Sequence, residues 1–176
     1  IDISKFKKIF NRMLNNEPIS KIFNTKSFWK YDFFVNYNVL DPRPETELII
    51  EKVLKYFPKK DIDLKILDMC TGSGCLAICL AKEYPFAKIT ATDISSKALK
   101  VAFYNAEKLD CRDRINFIKC DLIKDISYFD IVVCNPPYVS ESDYKKTSLE
   151  IKDYEPKLAF IASKDGYELF FRIAKI

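Results

Sequence analysis

The chain contains no histidine. That absence removes every Ser-His or Cys-His hydrolase mechanism, because no imidazole is present to take a proton near neutral pH. No apolar run is long enough to cross a bilayer, and nothing resembles a signal peptide, so a cytoplasmic location is expected. The six cysteines include no C-x-x-C pair and read as reduced core thiols, with Cys75 and Cys79 one turn apart on a predicted helix and Cys120 and Cys134 in predicted strands. Cys70, Cys120 and Cys134 can converge at strand ends, but without histidine or tight ligand spacing no metal is expected. Charge of one sign is also lacking: 29 basic residues against 25 acidic leave +4, too mild an excess to argue for nucleic acid. What remains is a chain of 176 residues, 48% hydrophobic, about one domain long with material for a core. Its first residue is isoleucine, which fits a segment of a longer protein.

Apolar positions Ile3, Phe6, Ile9/Phe10 and Met13/Leu14 recur at helical spacing with lysines opposite, predicting a helix over 3–14 that ends at Asn15–Pro18. The aromatic stretch from Ser27 to Val35, broken by polar residues, predicts a β-hairpin turning near Lys30–Asp32. Its aromatic side chains suit core packing better than base stacking. Next, Asp41-Pro42-Arg43-Pro44-Glu45-Thr46-Glu47 opens a helix that runs to about Phe57 and stops at Pro58. Pro44 fits a first turn, and Glu45 and Glu47 complement the helix dipole. Neither rule accounts for Arg43 and Thr46, which makes both functional candidates.

From Lys65 the pattern alternates: strands over 65–69, 88–92, 115–120 and 129–134, and helices over 74–84, 96–109 and from Gly166 onward. Such alternation predicts right-handed crossovers and a parallel, doubly wound α/β sheet. Two turns at strand ends carry the chemistry. Between the first strand and helix, Gly72, Gly74 and Ala77 fit G-x-G-x-x-G/A, and Asp93 follows about 20 residues on, placed to accept both hydroxyls of a ribose. A nucleoside cofactor is expected. Asp68 before the loop and Asp121 after the third strand suit a small cationic cofactor better than a pyrophosphate, although both are equally explained as loop caps.

The second turn is Cys134-Asn135-Pro136-Pro137-Tyr138. Two prolines stop the preceding strand, since neither donates to a ladder. An asparagine carbonyl, a proline carbonyl and an aromatic face are left together at the carboxyl end of a strand. Two acceptors there suit a planar NH2 group, with Tyr138 over its face.

These pieces resemble the release-factor glutamine N5-methyltransferases, the PrmC/HemK family. The matching segments occur in the family's order: Glu17-Pro18-Ile19, the Phe28–Val35 hairpin, Pro42–Glu47, Thr71–Gly74, Asp93, Asn135–Tyr138, and Glu155-Pro156 before Ala159. The resemblance implies a Rossmann-like class I methyltransferase sheet, its later strands missing from this chain, behind a short helical segment and a hairpin. It divides the chain into the remnant of a helical substrate-recognition domain over 1–25, a hairpin linker over 26–41, and a C-terminally incomplete methyltransferase domain over 42–176. It implies S-adenosylmethionine as methyl donor, with S-adenosylhomocysteine as product. The implied acceptor is the glutamine amide of the GGQ motif in peptide-chain release factors. Carried across, Thr71, Gly72, Ser73 and Gly74 wrap the cofactor, Asp93 holds its ribose, and Asp121 and Leu122 flank its adenine. Thr46, Asp68, Cys70 and Asn135 complete that set. Asn135, Pro136, Pro137 and Tyr138 grip the glutamine, with Asn135, Pro136 and Tyr138 catalytic and Arg43 beside the substrate. A monomer with no nucleic-acid or membrane partner is expected.

Three positions depart from the family's pattern. Cys70 replaces the glycine that opens the loop, at a position where positive φ would strain a cysteine. Asp41 replaces an apolar residue, and Ser163-Lys164 a glycine pair. The rivals are an N6-adenine methyltransferase, which needs the same grip but a basic, base-flipping surface, and an inactive cofactor-binding fragment.

Overall fold

A computed structural model describes residues 2–123, 125–163 and 165–176. Helix α1 spans Ile3–Leu14, with the Asp2 carboxylate capping it by accepting from the Ser4 and Lys5 N–H groups at 3.0 and 3.1 Å. Its apolar stripe faces outward, and none of its residues is buried. Helix α2, Ile19–Phe23, leads into a hairpin of β1 (Thr25–Phe28) and β2 (Tyr31–Phe34). Phe28 pairs with Tyr31, so the turn is Trp29-Lys30, slightly earlier than the polar break at Lys30–Asp32 indicates, with Trp29 at φ +56°. Phe28 and Phe33 go into the main core, each worth about 1.5–3 kcal/mol of burial.

After a short 3-10 turn over Pro44–Thr46, α3 covers Glu47–Tyr56. The alternating half then follows as β3 (Lys65–Met69), α4 (Cys75–Glu83), β4 (Lys88–Asp93), α5 (Ser96–Lys108), β5 (Ile115–Lys119) and β6 (Ile131–Cys134). These four strands form one parallel sheet in the order β5-β4-β3-β6. The fourth strand starts later than the apolar run from Phe129, because Phe129 N–H closes a turn on Ile126 and the Asp130 carboxylate accepts from Lys65 N–H at 2.8 Å. The chain runs outward from β3 through β5 and then returns to the other side of β3. Its switch point is therefore between β3 and β6, where open α/β sheets bind ligands.

Beyond β6 come elements that the sequence pattern does not reveal: β7 (Val139–Ser140), α6 (Glu141–Tyr144), α7 (Leu149–Tyr154) and β8 (Ile161–Ser163), with β7 parallel to β8. The expected terminal helix is α8, Glu168–Ile173. Of the Ser163-Lys164 departure, Lys164 lies outside the described residues. All six cysteines are free; Cys75 and Cys79 are buried as expected, whereas Cys120 and Cys134 are half-buried because they sit at strand ends.

Candidate active site

Asp68 is the next-to-last residue of β3 and is wholly inaccessible. Its Oδ2 accepts from the Thr71 hydroxyl at 2.6 Å and from Ala77 N–H at 3.1 Å, fastening loop 70–74 to the first turn of α4. The loop-cap reading thus holds for one oxygen, while Oδ1 has no partner among the described residues. Burial pushes the carboxyl up to about 7, against the pull of those two hydrogen bonds.

The loop turns through three left-handed residues, Cys70 (φ +60°), Gly72 (φ +55°) and Gly74 (φ +83°). Cys70 therefore occupies the conformation that its departure from glycine makes costly, of the order of 1 kcal/mol. A Cβ on Gly72 would meet nothing nearer than 4.0 Å, which leaves open space above the loop. One on Gly74 would press to 3.0 Å from Ala102, so Gly74 holds α4 against α5 and does not line the cleft. Loop and second strand are joined by Thr71 N–H to Thr92 C=O and by Gly72 N–H to Asp93 Oδ2, both 2.9 Å. The other Asp93 oxygen accepts from Ser95 N–H at 2.8 Å.

One contributor has no motif. The buried Asn105 amide on α5 donates to Ser73 C=O at 2.9 Å and to Phe34 C=O at 3.0 Å, and its carbonyl accepts from Phe34 N–H at 2.7 Å. It staples the hairpin to the loop. Its signal was available in the sequence: a polar residue in line with Ala98, Val101 and Ala102 on the buried stripe.

Above the strand ends lie two adjoining clefts. The first is walled by the expected Thr46, Asp68, Cys70, Thr71, Gly72, Ser73, Asp93, Asp121, Leu122 and Asn135, and also by Pro137 and by Leu169 and Arg172 of α8. Arg172 donates to the Asp121 carboxylate at 2.8 Å, an exposed pair near the mouth. The second cleft is walled by Pro136, Tyr138, Ile151, Glu155 and Phe160. Leu40, Arg43, Thr46, Asn135 and Ala159 belong to both. The two prolines thus face different ways, Pro136 into the second cleft and Pro137 into the first, where the sequence reading kept them together.

At the junction, Asn135 Nδ2 donates to Thr46 Oγ1 at 3.1 Å, and Arg43 Nη2 reaches both Glu155 oxygens at 2.8 and 2.9 Å. The Pro136 carbonyl receives no hydrogen bond among the described residues. Glu155 is buried, which raises its carboxyl despite Arg43 beside it. Cys70 and Cys134 are in contact, and that contact together with burial pushes the Cys134 thiol up. Among the described residues no three His, Cys, Asp or Glu side chains are grouped to hold a metal ion.

Residues 45–151 match the methyltransferase small domain family. The chain belongs to that family. As a methyltransferase small domain it is 39% identical over 174 residues to a release factor glutamine methyltransferase of Koribacter versatilis, covering 97% of this chain and 61% of that protein. It is also 39% identical over 193 residues to a bifunctional methyltransferase of Rickettsia prowazekii, covering 99% of this chain and 37% of the relative. The chain therefore spans less than two thirds of the curated relatives it matches. Its fold is that of the class I methyltransferases. The catalytic domain of human Mettl16, solved with an RNA hairpin, superposes with TM-score 0.65 at 18% identity, over 80% of this chain and 54% of that one. A SAM-dependent methyltransferase from Agrobacterium tumefaciens gives 0.54 at 23%, over 64% and 39%.

The cofactor of these methyltransferases is S-adenosylmethionine, and the first cleft fits it. Space lies open over Gly72, the buried Asp68 offers a carboxylate oxygen without a partner, and Asp93 stands at the end of β4.

Proposed function

We propose that the protein methylates the side-chain amide nitrogen of a glutamine, that of the GGQ motif in peptide-chain release factors, using S-adenosylmethionine. The observation that carries this reading is the junction of the clefts: Asn135 and Thr46 are walls of both. Bound in the first cleft, the cofactor supplies an electrophilic methyl group. Residues 70–73 and Asp93 are its seat, with Asp93 toward the ribose and Asp121 and Leu122 toward the adenine. The second cleft takes the acceptor.

An amide nitrogen is a poor nucleophile because its lone pair is delocalised into the carbonyl. The Asn135 side-chain carbonyl and the unpaired Pro136 carbonyl accept the two hydrogens of the acceptor NH2, fixing the nitrogen and turning its lone-pair density toward the first cleft. Tyr138 lies against the amide plane, and Arg43 flanks the acceptor. No strong base is required, because the proton leaves once the nitrogen carries positive charge. Catalysis is then positioning and electrostatic preorganisation, effects of several kcal/mol.

The relatives named release factor glutamine methyltransferase support this acceptor. A polynucleotide acceptor is disfavoured by the walls of the second cleft, where Arg43 is already paired and Glu45, Glu150 and Glu155 would face phosphates. A release-factor substrate places the enzyme in the cytoplasm, and the reading requires no membrane. The test is incubation with labelled S-adenosylmethionine and a release factor, followed by mass spectrometry of the GGQ peptide. Methyl on that glutamine is expected, with Asn135→Ala reducing the rate about 100- to 1,000-fold. Transfer to an oligonucleotide instead, or full activity of Asn135→Ala, would overturn it.

A further inference from the structure

We propose that Thr46 is a positioning residue that holds Asn135 with its carbonyl toward the acceptor, and is not a cofactor contact in the first instance. The inference rests on the reading of Asn135 as the acceptor's grip. An asparagine amide has two ends of opposite hydrogen-bonding character. Only its carbonyl can accept from an NH2 group; the amide end would meet that group donor to donor. The terminal torsion of asparagine is broad and roughly two-fold, so the end that faces the acceptor is decided by the partners of the other end. Here the other end has one side-chain partner, Thr46 Oγ1, which accepts from Nδ2 at 3.1 Å.

A hydroxyl can also donate, and so could serve the flipped amide in an empty site. The acceptor removes that degeneracy. With its NH2 donating to the Asn135 carbonyl and Asn135 Nδ2 donating to Thr46, each of these two contacts sets a hydrogen against a lone pair. Flipped, two NH2 groups confront each other. For this to hold, Thr46 must itself be fixed. It is 7% exposed, it closes the 3-10 turn Pro44–Thr46 with its N–H on Arg43 C=O at 2.9 Å, and the turn's first flank is tied by Arg43 to the buried Glu155. Sequence capping rules leave Arg43 and Thr46 unexplained, and this arrangement accounts for both. Arg43 anchors the turn, and Thr46 on that turn aims Asn135.

The test compares Thr46→Val, which keeps the shape and removes the oxygen, with Thr46→Ser, which keeps the oxygen. Both are measured in the full-length protein with S-adenosylmethionine and a release factor. Thr46→Val is expected to lower kcat about 10- to 100-fold, with the dissociation constant for S-adenosylmethionine and the melting temperature unchanged. Thr46→Ser should stay within about threefold of wild type. In 15N NMR spectra the Asn135 side-chain NH2 pair should lose its exchange protection in Thr46→Val and keep it in Thr46→Ser. Normal kcat in Thr46→Val overturns the inference, as does a loss confined to cofactor affinity or a fall in melting temperature shared by both variants. Asn135→Ala separates the two readings. If it is inactive while Thr46→Val is normal, only the role of Thr46 fails; if it is fully active, the grip itself fails.

Discussion

Asp68 is the residue whose chemistry is most exposed to measurement. Its carboxyl, raised by burial from an ordinary 3.8 to about 7, keeps a proton in the folded protein that the unfolded chain has already released. Between those two values the folded state binds more protons than the unfolded one, so this group's contribution to stability falls as pH rises through the window. A cationic cofactor beside the unpartnered Oδ1 acts in the opposite sense, because it favours the carboxylate. Affinity for S-adenosylmethionine should therefore rise as pH passes upward through about 7, with a proton released on binding. Asp68→Asn should bind more weakly and flatten the profile. Calorimetry in buffers of different ionisation enthalpy reads both the affinity and the proton count, and a flat wild-type profile would remove Asp68 from contact with the positive charge. The sequence made Asp68 visible through its place before the glycines but left cap and ligand open. Both oxygens are buried and only their hydrogen bonds distinguish them, Oδ2 taking two donors and Oδ1 none, a matter of packing that no local motif carries. Asn105 shows the converse: its place on the buried stripe marks it, but its partners lie 71 and 32 residues away, on Phe34 and Ser73, and the stripe does not say which they are.

At the scale of elements, the segment between α2 and the Pro44–Thr46 turn is held by a buried charge pair. Lys21 Nζ lies 2.6 Å from Asp41 Oδ1, in ionic contact though not in line for a hydrogen bond, and donates to Asn36 C=O and Val39 C=O at 2.9 Å. The Ser20 hydroxyl donates to the other Asp41 oxygen. Asp41 stood out in the sequence as a departure from an apolar position. Its partner did not, because a lysine in an apolar run reads as a solvated face when no three-dimensional neighbour is known. The strand-helix alternation was far more legible, since period and length reveal buried parallel strands directly, whereas the two- to six-residue elements between β6 and α8 are too short to leave a period. Removing one partner leaves an uncompensated buried charge, so Lys21→Met should lose about 3–5 kcal/mol in urea unfolding. The pair Lys21→Met with Asp41→Leu should recover most of that, since an apolar pair of similar volume is often neutral or better. Equal losses in the single and double variants would mean that packing around the lysine stem, and not charge, is what matters.

For the whole molecule, the helical period of α1 was readable from the sequence, but the direction of its stripe was not. A 3.6-residue repeat identifies an apolar face without saying what covers it. In the structure that face is open: Phe6 and Phe10 stack at 6.1 Å with 59% and 48% exposure, and Ile3, Met13 and Leu14 continue the stripe. The end of the helix is tied down all the same, by Arg12 on Glu17 and by the Tyr154 hydroxyl donating to Asn15 C=O at 2.9 Å. A row of apolar side chains on a fixed helix is a patch of the kind that associates in water. No α1 residue walls either cleft, so the patch and the chemistry are separable. The 176-residue chain alone should self-associate with rising concentration in sedimentation velocity, and the monomer expected from the sequence should appear with Phe6→Glu and Phe10→Glu together. These exposed substitutions should change unfolding free energy by no more than about 1 kcal/mol and leave S-adenosylmethionine affinity unaltered. A chain that stays monomeric before substitution would show the stripe to be too small or too mobile to associate. A variant that loses cofactor affinity would instead couple α1 to the clefts, through Arg12 and Glu17 and the Tyr37 hydroxyl that donates to Glu17.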